Sequence, residues 1–171
     1  MVIWMTGLSG AGKTTLAVAL KKAMCIMGIK CKVLDGDQLR QGISNGLTFT
    51  KEDRSENIRR IAEVAKLFAE EQIIPIVSVI CPFEADRIMA ENILDSNEFI
   101  LLYVKCSIMT CKARDPKGWY KKTEQNTVEN FTGITSPFEE PLCPDLIVDT
   151  EWCSLEDSIA YILREITPRL N

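Results

Sequence analysis

The stretch Gly7-Leu8-Ser9-Gly10-Ala11-Gly12-Lys13-Thr14 constrains this chain more than any other. It matches G-x-x-x-x-G-K-[ST], and it follows the apolar run of residues 2–5. After it, Leu16, Ala17, Leu20, Ala23 and Met24 recur at helical spacing until Gly28 gives a stop. Strand, glycine-rich turn and helix in that order make a phosphate-binding loop. The glycines let backbone N–H groups turn inward toward phosphate oxygens, and the helix N-terminus adds its positive end. Lys13 can reach β- and γ-phosphates, and Thr14 can offer a hydroxyl to Mg²⁺. An ordinary glycine-rich turn needs neither the lysine nor the threonine. With Thr15, these residues are the expected nucleoside triphosphate site, but the motif leaves the reaction open.

The rest of the chain keeps alternating strand and helix. Residues 32–34 lead into Asp35-Gly36-Asp37. Thr50-Lys51-Glu52-Asp53 resembles a capping box with Asp in place of Glu, and predicts a helix to about Glu71. Its buried face carries Ile58, Ile61, Ala62, Ala65 and Phe68. Residues 73–80 form a continuous apolar run, as in a strand covered on both faces, although Pro75 cannot donate to a ladder. A helix over 84–95, strands over 99–104 and 146–148, and a last helix capped at Ser154 complete the pattern. This order predicts an α/β fold with a five-stranded parallel sheet, helices on both faces and ligands at the carboxyl ends of the strands. Residues 114–144 are polar and punctuated by proline and glycine, which predicts a mobile lid or a binding loop. With no repeat or linker, residues 1–171 read as one domain.

Composition narrows the chemistry. The 171 residues include no histidine, so every mechanism that needs an imidazole is excluded. The net charge of −4 argues against a broad nucleic-acid surface. Seven cysteines without CxxC spacing, several within apolar runs, predict small buried hydrophobes in a reduced cytoplasmic setting. No stretch reads as a signal peptide or a membrane span, so no membrane partner is expected.

A GTPase switch is the first rival. Thr50-Lys51-Glu52-Asp53 and Asp115-Pro116-Lys117-Gly118 match its short signatures, but in reversed order, and the first opens a helix where a guanine reader follows a strand. Asp35 is the stronger lead. A carboxylate at the end of the second strand lies at the same sheet edge as the phosphate loop, where it can take a hydroxyl proton or hold a water on Mg²⁺. Arg40, Arg54 and Asn57 follow, and guanidinium groups fork onto phosphate or sulfate, although a solvated helix face would also hold Arg54 and Asn57.

At these residues the chain resembles the adenylylsulfate (APS) kinases. The likeness runs in one register through Ile3-Trp4-Met5-Thr6-Gly7 and the loop, Leu34-Asp35-Gly36-Asp37 with Arg40, and Phe49 with Asp53-Arg54-Ser55-Glu56-Asn57. It continues through Cys81-Pro82-Phe83 with Asp86-Arg87, Arg114-Asp115-Pro116-Lys117-Gly118-Trp119-Tyr120-Lys121-Lys122, Phe131-Thr132-Gly133-Ile134, Ser136-Pro137-Phe138-Glu139 and Pro144-Asp145-Leu146.

The resemblance implies a three-layer P-loop kinase fold and ATP-dependent phosphorylation of a ribose 3′-hydroxyl on a nucleotide that carries an acid anhydride. It makes Asp35 the base and gives Lys13, Lys117 and Lys121 the task of offsetting charge on the transferring phosphoryl group. Thr14 would bind Mg²⁺, with Asp35 acting through water, and Arg114 would lie against the adenine of ATP. Asp37, Arg40, Arg54 and Asn57 would hold the acceptor, Phe49 and Phe131 would sandwich its base, and Cys81, Pro82, Thr132 and Gly133 would complete its site. A homodimer is implied as well.

Three departures accompany the likeness. Cys81 stands where the family commonly has a serine assigned as a phosphoryl carrier, so direct in-line transfer is expected. Glu84 replaces a frequently basic residue, and residues 88–92 lack a common arginine. The chain also begins almost at its first strand. Short forms resembling this one also occur in surface-polysaccharide synthesis, where some act on a different anhydride such as cytidine diphosphoramidate, and that is the alternative acceptor. The competing class is a nucleotide-binding regulatory module without turnover.

Overall fold

Val2, Ile3, Trp4 and Met5 are wholly buried, which places β1 (Val2–Thr6) in the middle of the molecule. The computed structural model describes residues 1–95, 98–124 and 130–170. Residues 125–129 of the expected 114–144 lid, and residues 96–97 and 171 of the expected 1–171 domain, lie outside them. β1 pairs in parallel with β3 (Ile74–Ser78) on one side and β4 (Phe99–Lys105) on the other. β2 (Cys31–Asp35) and β5 (Leu146–Asp149) form the edges, giving the order β2-β3-β1-β4-β5. The chain crosses from one side of β1 to the other between β3 and β4, and that reversal opens a crevice at the carboxyl end of β1.

Side-chain alternation along β1 divides the core. Ile3 and Met5 pack with Leu16, Leu20 and Met24 of α1 (Lys13–Ile26) and with Ile162 and Ile166 of α7 (Leu155–Ile166). Val2 and Trp4 pack with Ile58, Ile61 and Ala65 of α3 (Lys51–Glu70) and with Ala90 and Leu94 of α4 (Glu84–Leu94). The three layers expected from the sequence are therefore present.

Pro75 sits in an inner strand at no cost to the ladder. Ile74 directs its N–H to Lys30 O on the β2 side, so Pro75 faces β1, where pairing begins only at Ile76. Three short helices were not expected: α2 (Gly36–Gln41), α5 (Ile108–Arg114) and α6 (Trp119–Glu124). The capping box at Thr50 is half built. Thr50 Oγ1 accepts from Asp53 N at 3.3 Å, but the Asp53 carboxylate turns to the N–H of Thr48 at 2.7 Å. All seven cysteines are free; Cys81, Cys106 and Cys111 are buried, whereas Cys25, Cys143 and Cys153 are exposed. No described helix is long and apolar enough to cross a membrane.

Candidate active site

The phosphate loop is shaped by close approach. A Cβ on Gly7 would stand 2.3 Å from the Val104 carbonyl oxygen, and Gly12, at φ 96°, caps α1 in the left-handed region where a side chain is strained. Lys13 lies beneath the loop and donates from Nζ to Gly7 O at 2.8 Å and Leu8 O at 2.7 Å. Burial lowers its pKa to about 8, and the charge of Lys117 adds to that effect.

The end of β2 brings Asp35 against this loop. Its Oδ1 accepts from Asp37 N at 3.0 Å and caps α2, while its Oδ2 accepts from Thr14 Oγ1 at 2.8 Å. Ser78, at the carboxyl end of β3, stands 3.4 Å from the same threonine hydroxyl. Asp37 reaches outward and pairs with Lys117, so α2 touches the segment following α5.

These groups line one cavity of about 700 Å³. At one end, Arg114 donates to Thr150 Oγ1 at 3.0 Å and to Thr150 O at 2.6 Å, beside Cys153 and Leu155. At the other end, Arg54 Nε donates to Phe49 O at 3.0 Å, and its Nη2 donates to Asn130 O. The Arg40 and Arg54 guanidinium carbons lie 4.6 and 5.4 Å from the centre of the Phe49 ring. Burial lowers the pKa of both arginines. Arg54 and Asn57 are buried, so they do not belong to a solvated helix face. Asn57 Oδ1 and Thr132 Oγ1 are buried without a hydrogen-bond partner among the described residues, and both residues line the cavity. Polar side chains with unpaired atoms at the edge of a cavity are suited to a polar ligand.

Phe49 and Phe131 occupy different settings. Phe49 is 44% exposed, whereas Phe131 is 8% exposed and packs edge-on against Tyr120 with ring centres 4.9 Å apart. Tyr120 in turn donates to Ser9 O at 2.9 Å, which joins this packing to the phosphate loop. Cys81 is buried at φ 43°, a strained value for a residue with a Cβ, and burial pushes its thiol pKa up. Thr6 Oγ1 at 3.2 Å and Arg87 Nη1 at 2.8 Å hold its carbonyl oxygen.

Of the expected site residues, Gly7, Leu8, Ala11, Lys121 and Gly133 are not among those that line the cavity. Leu8 and Gly133 face a second hollow of about 740 Å³ behind the loop. Lys121 lies in α6, whose first turn is held by the Asp115 carboxylate on Tyr120 N at 3.2 Å and Lys121 N at 3.1 Å. The sequence reading missed Ser78, Thr150 and Cys153. Ser78 ends a strand and Thr150 directly follows one, and that position was their only signal.

Residues 1–149 match the family model described as adenylylsulphate kinase. A probable adenylyl-sulfate kinase of Halalkalibacterium halodurans is 50% identical over 94% of this chain and 80% of its own length. An adenylyl-sulfate kinase of Geotalea uraniireducens is 46% identical over 99% of this chain and 81% of its own. Among solved structures, the Mycobacterium tuberculosis APS kinase CysC in complex with AMPPNP and APS superposes with a TM-score of 0.93 at 34% identity, over 97% of this chain and 96% of that one. A shikimate kinase of Aquifex aeolicus, at 11% identity and a TM-score of 0.57, shares the fold.

Proposed function

Because this chain belongs to the adenylylsulphate kinase family and is a phosphotransferase, we propose that it moves the γ-phosphoryl group of ATP directly onto the ribose 3′-hydroxyl of adenylyl sulfate. The observation that carries this reading is the Thr14–Asp35 contact at 2.8 Å. It lies between the phosphate loop and the Arg40, Arg54 and Phe49 cluster, inside a single cavity. A carboxylate there can meet an acceptor hydroxyl on one side and the triphosphate on the other.

ATP would enter with its adenine at Arg114 and its phosphates in the loop of residues 7–15. Lys13 would exchange the carbonyls of Gly7 and Leu8 for β- and γ-phosphate oxygens. Asp35 would accept the 3′-hydroxyl proton as that oxygen attacks in line, while Lys13, Lys117 and Lys121 offset the charge on the moving group. Arg40, Arg54 and Asn57 would hold the acceptor's anhydride. Phe49 and Phe131 would take its base between them, with Asp37, Cys81, Pro82, Thr132 and Gly133 completing the site. Thr14 and Asp35 are hard oxygen donors that suit Mg²⁺, with Thr14 as the direct ligand and Asp35 acting through water. That ion would neutralise charge on the β- and γ-oxygens.

Lys121 needs α6 to move toward the cavity, and we assign the 114–144 segment the role of a lid that turns on its anchored residues 131–139, within one domain spanning residues 1–171. A cytoplasmic homodimer is the assembly expected from the same resemblance. On this reading the acidic departure at Glu84 would not meet the acceptor. Its carboxylate accepts from Arg87 Nε at 2.7 Å, and it is not among the cavity-lining residues.

The test is incubation with ATP and Mg²⁺ plus either adenylyl sulfate or a cytidine diphosphate anhydride. The 3′-phosphorylated adenylyl product is the expected outcome. Turnover of the cytidine compound alone would overturn the acceptor assignment. Nucleotide binding without turnover of either would overturn the proposed kinase activity.

A further inference from the structure

Glu139 ends the Ser136-Pro137-Phe138-Glu139 motif, yet it takes no part in the chemistry above. α4 begins at Glu84, and its N-cap residue, Phe83, has no side chain that can accept a hydrogen bond. The Glu84 N–H donates instead to Glu139 Oε2 at 2.7 Å, across 55 positions of sequence. A carboxylate there satisfies an otherwise open donor and meets the positive end of the helix. The backbone of Glu139 adds two links. Its N–H donates to Pro82 O at 2.8 Å, and its carbonyl accepts from Arg87 Nη2 at 2.8 Å. Arg87, 2% exposed, directs Nε to Glu84 Oε2 and Nη1 to Cys81 O at 2.8 Å. Residues 81–84 are thus joined to Glu139 both directly and through Arg87.

The other end of this segment is equally tied. The Phe131 carbonyl accepts N–H groups from Ile134, Thr135 and Ser136, and Phe131 N donates to Thr135 Oγ1 at 2.8 Å. Phe138 stacks on Tyr103 with ring centres 6.1 Å apart. A closed turn therefore connects the Phe131 ring to the Glu139 anchor.

We propose that Glu139 and Arg87 are positioning residues for acceptor binding. They fix the separation between the Cys81-Pro82 wall and the turn that carries Phe131. Neither residue is among those lining the cavity, so they act through these two segments. The inference rests on the function proposed above.

The test compares wild type, Glu139→Ala, Glu139→Gln and Arg87→Lys in initial-rate assays that vary adenylyl sulfate and ATP separately. Amide hydrogen exchange at Glu84 and Glu139 is followed in parallel. Glu139→Ala should raise the acceptor KM about tenfold, the size of one lost charge-assisted hydrogen bond, and leave the KM for ATP within about twofold. Glu139→Gln keeps an acceptor oxygen and should restore most of the loss. Arg87→Lys should shift the acceptor KM in the same direction. If Arg87→Lys does not fold, the exposed Glu139 variants carry the test alone. Equal shifts in both KM values, no shift in either, or Gln behaving like Ala would overturn the assignment. A wild type without turnover would instead overturn the proposed function. The clamp would then be read from exchange, where unaltered protection at Glu84 in Glu139→Ala would overturn it.

Discussion

Asp35 divides its two oxygens between structure and chemistry. Oδ1 caps α2, and Oδ2 meets the Thr14 hydroxyl. Asn caps a helix as well as Asp does, so Asp35→Asn should leave the melting temperature nearly unchanged. It removes the proposed base, and kcat should fall roughly 10²- to 10⁴-fold while the Kd for ATP stays close to wild type. Steady-state rates beside calorimetric ATP titration check this, and an unchanged kcat would remove Asp35 as the base. Lys13 makes a prediction in pH. Its folded pKa is lowered to about 8 from 10.5, so burial costs stability below pH 8, where the ammonium is still charged. Between those values the unfolded chain holds more protons, and stability rises with pH. Phosphates favour the ammonium, so ATP binding should take up a proton and weaken as pH climbs through about 8. Titrations in buffers of different ionisation enthalpy read that proton directly. The Asp35 position was legible because a strand end points to the site. The parked position of Lys13 on Gly7 and Leu8 was not, because no pattern encodes backbone carbonyls turned inward.

At the level of elements, the long helices α1, α3 and α7 announce themselves by apolar spacing over several turns. α2, α5 and α6 have 6, 7 and 6 residues, too few for a periodic face to be distinguished. Only their capping side chains, Asp35, Ser107 and Asp115, could have signalled them. The two aromatic residues paired by resemblance also part ways here. Phe131 belongs to the core packed on α1, and Phe131→Ala should cost about 3–5 kcal/mol in urea denaturation. Phe49→Ala removes a half-exposed ring and should change stability by no more than about 0.5 kcal/mol. Its effect should fall on the acceptor KM, raised about tenfold by the loss of one stacking face. Equal destabilisation by the two substitutions would refute this contrast. Burial of Phe131 depends on Tyr120, which arrives from α6, so sequence alone could not separate the pair.

The whole molecule was the most legible scale. Five apolar runs interleaved with amphipathic helices leave few topologies once parallel crossovers must be right-handed. The pairing of β1 with both β3 and β4 puts the crevice where the glycine-rich turn already pointed. A ligand in that crevice would meet segments spread along the chain from Ser9 to Ser158, and should stabilise them together. ATP at about 100 times its Kd should add roughly 2.7 kcal/mol and raise the melting temperature by about 5–10 °C. A thermal scan with and without Mg·ATP settles this, and an unmoved midpoint would count against the nucleotide site.

The Lys117–Asp37 pair gives this architecture a sensitivity to its medium. Its side chains are 45% and 60% exposed, so water and ions reach both partners. Such a contact is worth no more than about 1 kcal/mol, and salt at physiological strength screens it over roughly 8 Å. In dilute buffer the carboxylate competes with incoming phosphate for the same ammonium. As ionic strength increases, that internal competitor fades along with the attraction that draws polyanions in. The two effects oppose each other, so nucleotide affinity here should depend less steeply on salt than the gathered cations Lys13, Arg40, Arg54 and Lys117 would suggest on their own.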